Sequence, residues 1–103
     1  MNYMVANRVF VKQEYCQEFE QRFRDRSGQI DKQPGFIRME VLKPKSENTP
    51  YVILTLWHDE QAFNNWVGSD DFKMAHQNPM PKEAFIDGGG LEQYELIISV
   101  NTN

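Results

Sequence analysis

Apolar residues in this chain switch their spacing from every second position to every fourth and back again, and that succession limits the fold more than any other feature. Tyr3, Val5, Val9 and Val11 share one face of an extended segment, with Asn7 among them. Met4, Ala6, Arg8 and Phe10 share the other face, so the first strand carries apolar groups on both sides. From Glu14 to Ile30 the repeat lengthens: Tyr15, Phe19 and Phe23 recur every fourth residue, with Cys16 beside them and charges elsewhere. That pattern is an amphipathic helix. It fades around Ser27–Gly28 and must have ended by Pro34–Gly35. Phe36 to Leu42 and the β-branched, aromatic run Tyr51 to Trp57 read as two strands. The proline-bearing segment Lys43 to Pro50 joins them as a loop. Asp59 is a suitable N-cap for a helix from Glu60 to about Val67. Ser69 caps a second, short helix, with Asp70 and Asp71 in the first turn where the helix dipole favours negative charge. That helix stops before Pro79 and Pro81. Gln77 to Gly90, with its prolines and the run Gly88–Gly89–Gly90, is expected to be a loop, and Glu92 to Val100 the last strand.

The order is therefore strand, helix, strand, strand, helix, strand. This predicts an α+β, ferredoxin-like βαββαβ domain with an antiparallel sheet, and 103 residues make one domain, 1–103. Helices cover only one face of such a sheet. The other face is also apolar here, so a second sheet is expected against it, giving a homodimer of the dimeric α+β barrel type. A chain this short also gains by sharing its core with a second copy.

Charge and cysteine content narrow the function. A net charge of −4 with eleven scattered basic residues argues against nucleic acid as a partner; only Arg22, Arg24 and Arg26 lie close together. The single cysteine, Cys16, allows no internal disulfide and no C-x-x-C-H haem attachment. The first ten residues lack the apolar run of a signal peptide. No stretch approaches the roughly 18 apolar residues that cross a bilayer, so no membrane partner and a cytoplasmic location are expected.

Few residues carry obvious chemistry. His76 lies near the end of the short helix, four residues after Phe72 and on the same face. A lone helix histidine is ordinarily structural or solvated. No His or Cys stands at chelate spacing from it, and His58 follows Trp57 at a strand end. Zinc needs more ligands than that, whereas haem needs one axial imidazole because the porphyrin fills four positions. Trp66 reads first as core, as do Trp57 and Phe63. Asn7 is unusual, because a strand interior disfavours Asn and a buried amide must find partners. It is either a satisfied polar group at a seam or a hydrogen-bond donor to a ligand. Arg22 and Arg26, flanking Phe23, could meet carboxylates such as haem propionates, although a solvated helix face beside Glu18 and Asp25 is the plainer account. The glycine run fits no nucleotide motif, and no nucleophile elbow occurs.

The segment Met4-Val5-Ala6-Asn7-Arg8 resembles the opening strand of the IsdG-type haem-degrading monooxygenases. The stretch ILTLWHDEQAFNNWVGSDDFKMAH, from Ile53 to His76, resembles their central region, with the W-x(5)-F-x-x-W spacing and the S-D-x-F-K-x-A-H ending. Phe19, Arg22, Phe23 and the turn Pro34-Gly35-Phe36 fit as well. The wider antibiotic-biosynthesis monooxygenase superfamily shares the fold and the Gly-Phe turn. The resemblance implies that His76 is the axial ligand of haem iron, that Trp66 crowds the porphyrin out of plane, and that Asn7 donates a hydrogen bond on the opposite side. It places Phe23 at the haem too, and implies a homodimer with one haem per subunit. Haem would be cofactor and substrate at once, opened oxidatively with release of iron. An external reductase would supply electrons, since the chain offers no flavin or iron–sulfur site. The competing expectations are a haem-binding or haem-sensing protein without turnover, and a cofactor-free oxygenase of an aromatic polyketide or quinol, in which Asn7, Trp66 and His76 would touch the organic substrate.

Overall fold

The computed structural model describes residues 2–25 and 29–102. Strand β1 runs Asn2–Val11, helix α1 Cys16–Asp25, β2 Phe36–Leu42, β3 Tyr51–Trp57, α2 Glu60–Val67, α3 Asp70–Ala75 and β4 Phe85–Leu96. The four strands form one antiparallel sheet in the order β2-β3-β1-β4. This is the expected ferredoxin-like arrangement. It is an open sheet and not a closed barrel: four strands are half the number that usually encloses even a filled interior.

Local chemistry sets the helix ends. Asp59 Oδ1 accepts from the Ala62 amide at 2.9 Å, and Ser69 Oγ accepts from the Phe72 amide at 3.1 Å. Both caps were expected, and each satisfies an amide that the first turn leaves without a helical partner. At its start, a single 3-10 turn at Gln13–Tyr15 precedes α1; beyond Asp25, Arg26, Ser27 and Gly28 lie outside the described residues, and Ile30–Lys32 forms a separate 3-10 turn. Gly35 sits in the turn before β2 with φ of 82°, and a Cβ there would lie 2.6 Å from the Ala62 Cβ. Glycine is therefore needed both for the backbone conformation and for α2 to pack this close.

The helices pack on the sheet at its two ends and leave its middle open. At one end Phe19 of α1 packs on Tyr51, ring centres 4.8 Å apart, and on Phe23 at 5.2 Å. Ile53, Met80 and Ala84 complete this cluster; burying Phe19 alone contributes roughly 1.5–3 kcal/mol. The Tyr51 hydroxyl donates to Glu20, whose carboxylate also meets Lys43 at 3.1 Å. The bond from Tyr51 and the nearby ammonium hold the Glu20 carboxyl below its ordinary range, while burial and that same bond push the Tyr51 hydroxyl up. At the other end Trp57, with no exposed surface, meets Phe36 and Phe63 edge-on, and Tyr3 packs on Phe63. Between the two clusters the inward side chains of β1 and β3 face a cavity.

The last strand differs from expectation. β4 begins at Phe85 and takes in Gly88, Gly89 and Gly90, which were expected to lie in a loop. The pairing of β4 with β1 shifts register between Arg8 and Phe10, where Gly88 adopts φ of 115°. A Cβ on Gly89 would stand 2.2 Å from the Arg8 carbonyl oxygen. The glycine run is a bulge where two backbones approach closely, which is one of the few reasons for glycine inside a strand. Gly89→Ala is expected to cost about 1–3 kcal/mol, as overpacking does; a urea midpoint unchanged from wild type would show that the bulge relaxes freely. β4 also stops at Leu96, short of Val100. Leu96 pairs with Asn2, so among the described residues β1 offers no further rung. Ile97, Ile98 and Val100 are left 72%, 74% and 88% exposed.

The sheet face away from the helices carries Met4, Ala6, Leu54, Leu56 and Leu42, with Tyr94 and Leu96 alongside, as the register requires. Ala6 and Leu56 at its centre are buried, while Leu42 and Tyr94 stay about half exposed at 47% and 50%. Among the described residues no helix is long and apolar enough to cross a membrane.

Candidate functional site

The open middle of the sheet is the floor of a cavity of about 500 Å³, within the range that takes up a small organic ligand. Val5, Asn7 and Val9 from β1, Ile53 and Thr55 from β3, Met39 from β2 and Leu91 from β4 face it. Phe19, Arg22 and Phe23 of α1 form one wall, and Phe63, Trp66, Phe72 and His76 of the α2–α3 pair form another. Most of these side chains are apolar, so the few polar groups stand out.

His76 is the C-cap residue of α3. Its Nδ1 lies 2.8 Å from the Phe72 carbonyl oxygen one turn earlier. A carbonyl can only accept, so Nδ1 carries the proton in this bond and Nε2 of the neutral ring keeps its lone pair. The imidazole also stacks on the Phe72 ring at 4.1 Å with planes 29° apart. Phe72 in turn meets Trp66 edge-on at 5.3 Å. Trp66 is buried and His76 exposed. Three aromatic side chains thus form a chain from the α2 core to the cavity mouth, and the imidazole at its end is clamped by a ring contact and a hydrogen bond. The shared face of Phe72 and His76 was legible in their four-residue spacing.

Asn7 lies opposite, on the floor, paired with Ile53 and Leu91 in the register. Valines flank it along its row, and no described residue hydrogen-bonds its carboxamide. The amide faces the open cavity instead, so a seam role is not what places it there. Phe23 lines the same cavity and packs on Phe19. Arg22 lines it too, but its guanidinium is already engaged. It meets Glu18 at 3.2 Å and donates to the Asn78 carbonyl, tying α1 to the segment just after His76. Arg26 lies outside the described residues. His58 is not among the lining residues; its amide donates to the Gly35 carbonyl at 2.8 Å.

Sequence reasoning overlooked Thr55 and Met80. Thr55 is 8% exposed and accepts a hydrogen bond from Trp57 Nε1 at 2.9 Å. Its signal was present, as the one hydroxyl-bearing aliphatic residue in the inward row from Tyr51 to Trp57. Met80 gave none, because it reaches the core from a proline-flanked segment with no periodicity of its own.

Comparison with known proteins bears on this geometry. The model of the antibiotic biosynthesis monooxygenase family matches residues 2–78. A curated "Heme oxygenase (staphylobilin-producing)" from Staphylococcus haemolyticus is 37% identical over 78 residues, 74% of either chain. The crystal structure of a MhuD mutant with two manganese protoporphyrin IX bound per active site superposes with a TM-score of 0.83 at 23% identity, covering 97% of this chain and 99% of that one. MhuD from Mycobacterium tuberculosis with two hemes in its active site gives 0.79 at 24%, covering 96% and 99%. SnoaB, a cofactor-independent oxygenase from Streptomyces nogalater, gives 0.76 at 20%, covering 98% of each chain. These structures share the fold, while the family match spans β1, α1, β2, β3, α2 and α3 and stops short of Leu91 on β4. The chain belongs to the antibiotic biosynthesis monooxygenase family and is similar within it to heme-degrading oxygenases.

Proposed function

We propose that this protein is a haem-degrading monooxygenase that opens the porphyrin ring oxidatively and releases iron, with haem as its substrate. The observation that carries this is His76: the Phe72 carbonyl holds its Nδ1 proton, leaving Nε2 as a neutral donor at the edge of an apolar cavity. A side-chain hydrogen bond of this type is what commonly orients a metal-bound imidazole and sets its tautomer. The donor set fits haem and not a bare ion, because one imidazole suffices when a macrocycle supplies the remaining ligands. The largely apolar lining suits the porphyrin body, and the unpartnered Asn7 amide faces it from the other side.

In this function the chain's residues bind and orient. His76 holds the iron. Trp66 presses the ring from the α2 wall, its position fixed by burial and by Phe72. Asn7, exposed in the open cavity, offers an amide donor to a polar atom on the floor side, where a bound ring would displace water and make a fixed dipole effective. Phe23 packs on the ring edge. Arg22, and Arg26 with it, would serve the propionates; for Arg22 this means exchanging the Asn78 carbonyl for a carboxylate, a stronger acceptor. Haem supplies the redox-active iron and the carbon that is oxidised, and an external reductase supplies electrons. A homodimer is the natural assembly, since Leu42 and Tyr94 on the outer sheet face and Ile97, Ile98 and Val100 beyond β4 would otherwise meet water, and the cytoplasm is the expected compartment.

The test is a titration of purified protein with haem. The expected result is a saturable Soret band typical of histidine ligation, followed by its loss and iron release when a reductant and oxygen are added. A stable band would leave a haem-binding protein without turnover. No Soret shift at all would move the site to cofactor-free oxygenation of an organic substrate.

A further inference from the structure

Thr55 is the most buried polar side chain on the cavity floor, and its hydrogen bonds are half accounted for. Trp57, two residues along the same strand face, has no exposed surface, so its indole N–H must find an acceptor inside the protein. Thr55 Oγ1 is that acceptor, at 2.9 Å. An indole can only donate, so this bond uses a lone pair of the hydroxyl and leaves its proton uncommitted. No described residue accepts that proton. Thr55 nonetheless lines the cavity. Thr55 stands opposite Val5, and Asn7 opposite Ile53, which makes Thr55 and Asn7 diagonal neighbours on adjacent strands, roughly 7–8 Å apart. Every other floor residue is apolar: Val5, Val9, Met39, Ile53 and Leu91.

We propose that the Thr55 hydroxyl, held as an acceptor by Trp57, is a second hydrogen-bond donor on the cavity floor, acting with Asn7 on a small oxygen or anionic ligand of the iron. This rests on the function proposed above. Two donors on adjacent strands would fix the direction of such a ligand, where a single amide fixes only one bond. Trp57 is then a positioning residue, since it sets the hydroxyl without touching the ligand.

Fluoride bound to the ferric haem-loaded protein is a suitable probe, because it only accepts hydrogen bonds. Thr55→Val is expected to weaken fluoride binding roughly tenfold, the scale of one charge-assisted bond. Thr55→Ser should stay within about twofold of wild type. Trp57→Phe loses the same internal bond and some core volume but keeps the hydroxyl, so it should lose at least as much stability as Thr55→Val while binding fluoride within about threefold of wild type. If Thr55→Val does not fold, Thr55→Ala takes its place. Unchanged fluoride affinity in the hydroxyl-free variant would overturn the proposal and leave Thr55 as no more than the acceptor for Trp57. Wild-type protein that binds no haem would sink both this inference and the function beneath it; wild type that binds haem normally confines the failure to Thr55.

Discussion

Replacing His76 with alanine should abolish the histidine-ligated haem spectrum and lower haem affinity at least tenfold, with little change in folding. The stability side follows from position. His76 is exposed at the end of a short helix, and its backbone amide still donates to the Phe72 and Lys73 carbonyls after the change. What is lost is one exposed side-chain bond and a ring contact, about 1 kcal/mol or less. The binding side follows from chemistry: no other imidazole lines the cavity, so the apolar walls would hold a macrocycle without an axial donor. Added imidazole should restore the spectrum by entering the vacated space. His58→Ala is the matched control and should change nothing, because His58 lies away from the lining. A His76→Ala protein that keeps the wild-type Soret band would sink the assignment of the ligand and, with it, the proposed function.

Trp66 carries the second large effect, and here stability and activity must be separated. Trp66 is 6% exposed and buttresses Phe72, so Trp66→Ala should cost about 3–5 kcal/mol, as removal of large core aromatics does. For a domain of this size that is a large share of the total, and the variant is expected to melt well below wild type. Haem should recover part of the loss by binding only the folded state. Trp66→Phe keeps an aromatic wall at a fraction of that cost. It is expected to bind haem within about threefold of wild type and to open the ring roughly tenfold more slowly, about 1.4 kcal/mol on the barrier. Rapid turnover in Trp66→Phe would falsify a role for indole bulk in distorting the porphyrin.

The elements of the fold were legible where their causes are local. Alternation in β1, the β-branched and aromatic run of β3, the four-residue repeat of Phe19 and Phe23, and the caps Asp59 and Ser69 each depend on residues close together in the chain, and each appears where expected. The histidine–phenylalanine pair was visible for the same reason. The glycine run misled because local rules price glycine as a strand breaker, while the Arg8 carbonyl that demands it lies some eighty positions earlier. The same limit explains Thr55: alternation placed it on the inward face, but only the packing of α1 and α2 at opposite ends of the sheet turned that face into a cavity. The clasp of Arg22 on the Asn78 carbonyl joins residues 56 positions apart, and nothing in either neighbourhood announces it.

Periodicity and capping in the amino-acid order thus determined which segments become strands and helices, and the spacing of Phe72 and His76 determined that an imidazole would be oriented by its own helix. The tertiary structure alone decided where β4 begins and ends, that the mid-sheet face stays uncovered, and that Asn7, Thr55, Trp66 and His76 share one space. The physical reason is range: backbone periodicity and caps act over a few residues, whereas close approach, register and enclosed volume arise only once distant segments are in contact.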